Sequence, residues 1–297
     1  MTIDAAVAPL AVADEPLRVR TGPVRSLRRH VVGVVSAAVI AALILIALAA
    51  PWIAPYSPTA PAGVALEDPS WQHPFGTDRF GRDVLSRVIY GARVSLGVAV
   101  AAVVMGTALG AAAGLASGYV GGRQDRINQL LLDIGLAFPG IVALMVIVAA
   151  FGRSLTIATV AIGVTSVPVV MRVVRGSVIS EKEALYVEAA RALGSTDTRV
   201  VLRHILPNIS ALIIVLASAL VPAAILQEAT LSFFGFGARP PTASWGADLS
   251  KDARLYFEVQ PWMALAPGLA LSITVLAFNL LGDTLRDVLD PRMRGRR

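Results

Sequence analysis

The sequence predicts an all-α integral membrane protein with six transmembrane helices. Three observations predict it. Of 297 residues, 56% are hydrophobic and only 15% are charged, against about a quarter charged in soluble domains. The mean hydropathy is +0.69. Apolar runs of about 20 residues, enough to cross a bilayer, recur along the chain and leave no soluble-sized domain between them.

The expected spans are residues 31–52, 94–117, 130–151, 155–171, 209–226 and 262–282. The first ends in Ala47-Leu48-Ala49-Ala50, which resembles a signal-peptide cleavage site. Its apolar run exceeds the roughly 7–15 residues of a signal peptide, so a retained anchor is expected. The third contains Pro139, which is expected to bend it just above Asp133. The fourth is short and holds Pro168, a candidate kink.

Orientation follows from lysine and arginine, which favour cytoplasmic loops. Six spans put the tail, the loop near Arg123, the segment from Arg172 to Arg203 and the C-terminus on one side. Those segments carry more than twice as many Lys and Arg as the opposite side. Both termini are therefore expected in the cytoplasm of a plasma-membrane protein. The same placement accounts for the net charge of +6 without nucleic acid. Residues 1–30 read as a disordered cytoplasmic tail, and 53–93 as an external segment with an interfacial helix. Residues 94–282 read as the core, with a second external segment at 229–261, and 283–297 as a basic cytoplasmic C-terminus.

Several classes of chemistry are excluded. The chain has no cysteine, so disulfides, thiolate metal sites and Cys nucleophiles are absent. Its two lysines, Lys182 and Lys251, lie in no phosphate-cradling loop. His30, His73 and His204 are isolated. No catalysis, bound cofactor or metal is expected.

The segment 180–207 is charged and helix-prone between two apolar stretches. Ser180 with Glu183 fits a capping box, so a helix is expected to start there. Leu185, Ala189 and Leu193 recur every four residues as an apolar stripe. Gly194 is the expected stop. Ser195 is the expected cap of a second helix, with Asp197 in its first turn. Val201 and Ile205 share a face, and Pro207 precedes the next span. Two readings stay open on these residues: a helix resting on lipid headgroups, or a knob fitting a partner's groove.

Elsewhere, Gly106, Gly110, Gly114 and Gly118 recur every four residues in the second span. Such a row of small residues lets another helix approach closely. Glu228, at the outer end of the fifth span, is a candidate for the translocation path, or else reaches water or an arginine. Asp133, at the inner end of the third span, is a weaker one. His73 to Asp83 reads as a structural turn rather than a metal site, with Pro74 and Gly76 marking it. Leu231 to Pro241 reads as an aromatic belt and turn.

Glu188-Ala189-Ala190 with Gly194, followed by His204-Ile205-Leu206-Pro207-Asn208, resembles the EAA loop of ABC-importer permeases. In the general motif an Ile falls where this chain has His204, and Ile205 follows one place late. The form His-Ile-Leu-Pro-Asn is associated with peptide importers. Residues 73–96, 229–246 and 275–292 resemble the same subfamily, the C-type permease subunits of dipeptide, oligopeptide and nickel importers. The resemblance runs from about Ser26 to Arg292. It implies a type I ABC-importer permease fold and a cytoplasmic coupling loop that docks into a separate ATPase. It also implies a second homologous permease, two ATPase subunits that bind ATP and Mg, and an external solute-binding protein that 73–83 helps to seat. The expected function is half of a pathway for short peptides; nickel or another small solute is the alternative. An ATPase-independent secondary transporter and a non-transporting scaffold are rival classes. No clear internal repeat supports the first, and the EAA-like loop speaks against the second.

Overall fold

Long apolar runs dictate helices, even through Pro168, Pro222 and Pro267, because backbone polar groups inside lipid must bond within their own segment. The computed structural model describes residues 31–289. The helices are α1 (Val31–Ile53), α2 (Val84–Val120), α3 (Gly122–Ala137), α4 (Gly140–Phe151), α5 (Leu155–Lys182), α6 (Leu185–Ala192) and α7 (Asp197–Val200). A π turn (Val201–Ile205) leads into α8 (Leu206–Phe233), followed by α9 (Trp245–Asp248), α10 (Lys251–Leu255) and α11 (Trp262–Leu289). Among the described residues there is no strand, only an isolated bridge between Thr77 and Asp83. The expected tail (1–30) and the last residues of the basic C-terminus (290–297) lie outside the described residues.

Among the described residues, five helical segments are long and apolar enough to cross a membrane, and α3 and α4 reach that length and hydropathy only as a bent pair taken together. The break between α3 and α4 turns the chain by 93°. Pro139 causes it: proline has no N–H to continue the ladder and pushes the preceding residue out of the helical region. Phe138 accordingly has φ −86 and ψ 139.

Several helices outrun their apolar windows. The 37-residue α2 is ~55 Å long, well beyond a hydrocarbon core of about 30 Å. Its start is fixed by Asp83, whose carboxylate accepts from the Ser86 N–H at 2.7 Å. Helix α5 continues through Pro168 to Lys182.

Three local expectations fail. The Ser180–Glu183 capping box starts no helix; Ser180 to Lys182 form the last turn of α5. Packing overrides the local signal here. Val178 lies against Gly118, and Lys182 Nζ donates to the Tyr119 carbonyl at 2.6 Å, holding α5 helical to its end. Ser195 does not cap the second helix; Thr196 does, accepting from the Arg199 N–H at 3.4 Å. Helix in the expected external segment 53–93 begins only at Val84, as the first turns of α2 rather than as a separate interfacial helix, and the stretch 54–83 has none. Pro55, Pro58, Pro61, Pro69 and Pro74 deny it a continuous helical ladder.

The core is a ring of helices around α2. Helices α2 and α5 run side by side in the same direction, and the glycine row makes that possible. An added Cβ at Gly110 would lie 2.6 Å from the Val170 Cβ, at Gly114 2.9 Å from the Val174 Cβ, and at Gly118 2.8 Å from the Val178 Cβ. Gly106 faces Gly163 and Ser166 in the same register. All four glycines are buried. Helix α11 packs on α1 and α8, and α8 also crosses α2.

Candidate functional site

Helix α6 and its flanks sit at the end of the bundle where α2 and α5 finish. One side of this segment is welded to the bundle. Val187, Val200, Ile205 and Ile209 are buried in one cluster with Val170, Val174, Val178 and Tyr119. Ala190 is buried as well. The other side is bare: Leu185 is 82% exposed and Leu193 88%, with Ala189 and Glu188 exposed between them. The two apolar faces of the same short helix thus have different occupants. One holds α6 to its own chain, and the other meets nothing in it.

The stop after α6 follows from Gly194. Its φ of +81 belongs to the left-handed region that glycine enters without penalty. The Ser195 N–H reaches the Ala190 carbonyl at 3.0 Å and the Gly194 N–H reaches Arg191 at 2.8 Å. This is the Schellman pattern that closes helix C-termini. Ser195 therefore completes the stop of α6 rather than starting α7.

Polar ties hold the segment from the other side. Tyr119 donates its hydroxyl to Asp197. Lys182 and Arg191 place their charges 5.3 and 5.4 Å from the Tyr119 ring centre, within cation–π range. Arg175 grips Asp125 with two hydrogen bonds of 2.5 and 2.6 Å. Burial of that fork is partial, and it links α5 to the first turn of α3. Tyr119, Lys182, Asp125 and Arg175 carry no local signal that would single them out. Only the parallel packing of α2 and α5 brings them to the loop.

The π turn at Val201–Ile205 has its cause two residues beyond its end. Pro207 cannot donate to the Arg203 carbonyl, and the ladder opens so that the Leu206 N–H bonds Val201. A π turn carries one extra residue. Ile205 is fully buried while His204 is half-buried and Pro207 exposed. The one-place offset of Ile205 from the general motif thus coincides with a one-residue bulge.

Glu228 is 0% exposed. Its carboxylate accepts from Ser95 Oγ at 2.8 Å and from Ser232 Oγ at 2.7 Å. Ser232 Oγ in turn accepts from the Ala238 N–H, so Glu228 anchors the turn that leaves α8. A separate groove of about 330 Å³ lies between the α3–α4 bend, α5 and α8, lined by Gly135, Phe138, Thr165, Ser166, Ala224 and Gln227 among others. Gln227 faces this groove; Glu228 is absent from its lining. Asp133 pairs with Arg172 at 2.7 Å, both side chains more than half exposed.

In the turn from His73 to Asp83, His73 Nδ1 lies 3.0 Å from Asp83 Oδ1, and Arg82 Nε donates to Asp78 at 2.6 Å. Both acids serve the fold of the turn.

Comparisons with known proteins agree with this architecture. Residues 106–295 match the family described as binding-protein-dependent transport system inner membrane component. Residues 24–72 match the N-terminal transmembrane domain of oligopeptide transport permease C. The chain is 41% identical over 273 residues to the glutathione transport system permease protein GsiD of Escherichia coli O1:K1, covering 91% of this chain and 90% of that one. It is 42% identical over the same shares to the GsiD protein of Shigella dysenteriae serotype 1. A family match across most of the chain, with relatives aligned nearly end to end, places this multi-pass protein among the inner membrane components of binding-protein-dependent transport systems.

Proposed function

We propose that the chain is one half of the transmembrane pathway of an ATP-driven importer of short peptides, and that α6 couples it to a separate ATPase. The observation that carries the coupling role is the bare apolar stripe of Leu185, Ala189 and Leu193 beside Glu188. Exposed leucines on a short, firmly seated helix are the anchors of a helix-in-groove contact. The peptide assignment rests on the relatives, which are named for glutathione, a tripeptide, and on the oligopeptide-permease match.

In this reading α6 lies in the cytoplasm, with both chain ends on its side. Two ATPase subunits bind ATP and Mg, and closing them presses on α6. Val187 transmits the push to α5 and α2, and the π turn passes it to α8. Close-packed interiors carry such displacements rather than absorbing them. Helices α5 and α8 also wall the groove at Gln227, so the same movement reshapes the path. A second, homologous permease covers the exposed apolar faces of α3 and α4, where Leu130, Leu131, Phe138 and Val146 are each 61% exposed. A solute-binding protein delivers the peptide at the opposite end, and lipid surrounds the rest.

The test is association. Glu188→Lys keeps helix propensity but reverses the charge beside the stripe, and Leu193→Glu places a charge on it. Both variants are expected at near-normal levels in the membrane, with at least a several-fold loss of co-purified ATPase. Full ATPase recovery with both would leave α6 as a helix resting on lipid headgroups.

A further inference from the structure

The groove between the α3–α4 bend, α5 and α8, about 330 Å³ in volume, falls in the size range of small-ligand pockets. Leu136, Phe138, Ile162 and Leu220 give it an apolar wall. Among the described residues, no Asp, Glu, Lys, Arg or His lines it. No charge therefore selects a ligand at contact range.

Three polar side chains line the groove: Thr165, Ser166 and Gln227. Thr165 Oγ1 donates to the Ala161 carbonyl at 2.9 Å, and Ser166 Oγ donates to the Gly163 carbonyl at 2.7 Å. Both hydroxyl hydrogens are thus spent within α5, and those oxygens can only accept. Gln227 is different. It is half-buried, and its carboxamide has no hydrogen-bond partner among the described residues. Neither of its polar atoms is sealed from contact. A carboxamide offers two N–H donors and an acceptor oxygen. Polar groups left unmatched in the spanning part of a membrane protein are costly and mark substrate paths. In an extended chain the N–H and C=O of one residue point to the same side, where a single carboxamide can meet both. The ligand's own side chains then lie on an uncharged wall.

We propose that Gln227 is a specificity-determining residue that reads the main chain of a passing peptide. Its Oε1 accepts from a peptide N–H and its Nε2 donates to the carbonyl oxygen of the same residue, whatever side chains the peptide carries. The inference rests on the import reading, and the oligopeptide-permease match supplies the occupant.

The experiment compares ATP-driven uptake of Leu-Leu with that of its ester analogue, in which oxygen replaces the amide N–H. It uses the complete transporter in proteoliposomes with saturating binding protein. Any preference of the binding protein for the amide is the same in every preparation, so the change in the amide-to-ester ratio reports on Gln227 alone. Gln227→Met keeps the length and much of the helix propensity and removes both hydrogen-bonding groups. Gln227→Leu is the second variant. Thermal unfolding and co-purified ATPase report which variants fold and assemble, and either one suffices. The expected result is an amide-to-ester ratio about three- to tenfold lower in the variant, the worth of one or two neutral hydrogen bonds. An unchanged ratio, including an equal fall in uptake of both compounds, assigns Gln227 to packing and overturns this inference alone. Absence of ATP-driven Leu-Leu uptake by the transporter with Gln227 in place overturns the import reading, and this inference with it.

Discussion

Gly194 has room for a side chain but the wrong backbone for one. An added Cβ would meet no atom within 4 Å, so any cost of substitution is conformational. Valine in the left-handed region is expected to strain the turn by about 1–2 kcal/mol, whereas asparagine visits that region several-fold more often. Gly194→Asn should therefore keep near-normal ATPase association and Gly194→Val should lose it, measured by co-purification. Equal behaviour of the two would make the turn irrelevant to coupling. This stop is legible in the sequence because a glycine after a periodic apolar stripe has few other uses. Glu228 is not legible in the same way. An acid near the end of a span reads equally as a path residue or a group reaching water. What decides its surroundings is Ser95, 133 positions earlier in the chain. Tyr119 and Asp197, 78 apart, are hidden for the same reason.

Helix α2 and helix α5 touch through glycine, and their contact is the element most exposed to a single change. Gly114→Leu would drive a side chain into the Met171 carbonyl and Val174. Overpacking of this kind costs roughly 1–3 kcal/mol, and the helices cannot separate without loosening the cluster that seats α6. The expected outcome is a lower unfolding temperature in detergent together with weaker ATPase binding. Gly97, where a Cβ would meet nothing within 4 Å, supplies the control: Gly97→Ala should change neither. An unchanged unfolding temperature for Gly114→Leu would contradict the packing account. At this scale the apolar runs are easy to read, since bilayer thickness sets their length. Their ends are harder. The Ser180–Glu183 box is a sound local signal that loses to Val178 packing on Gly118 and to Lys182 reaching Tyr119. The π turn is invisible in periodicity, because its cause is a proline two residues beyond its end.

For the whole molecule, orientation is the first consequence to check. The chain has no cysteine, so single introduced thiols label cleanly. Trp71 is fully exposed at one end of the bundle, and Thr198 is exposed beside α6 at the other. Trp71→Cys should react with an impermeant maleimide on intact cells, and Thr198→Cys only after permeabilisation. The reverse pattern would invert the protein and remove α6 from the cytoplasm. The central claim is that this chain moves peptides only when an ATPase drives it. The direct measurement is uptake of radiolabelled glutathione and Leu-Leu into proteoliposomes holding the chain, its second permease, the ATPases and the binding protein. The account predicts uptake that needs ATP and is lost with Glu188→Lys. Peptide uptake by this chain alone, driven by an ion gradient without ATP, would contradict it.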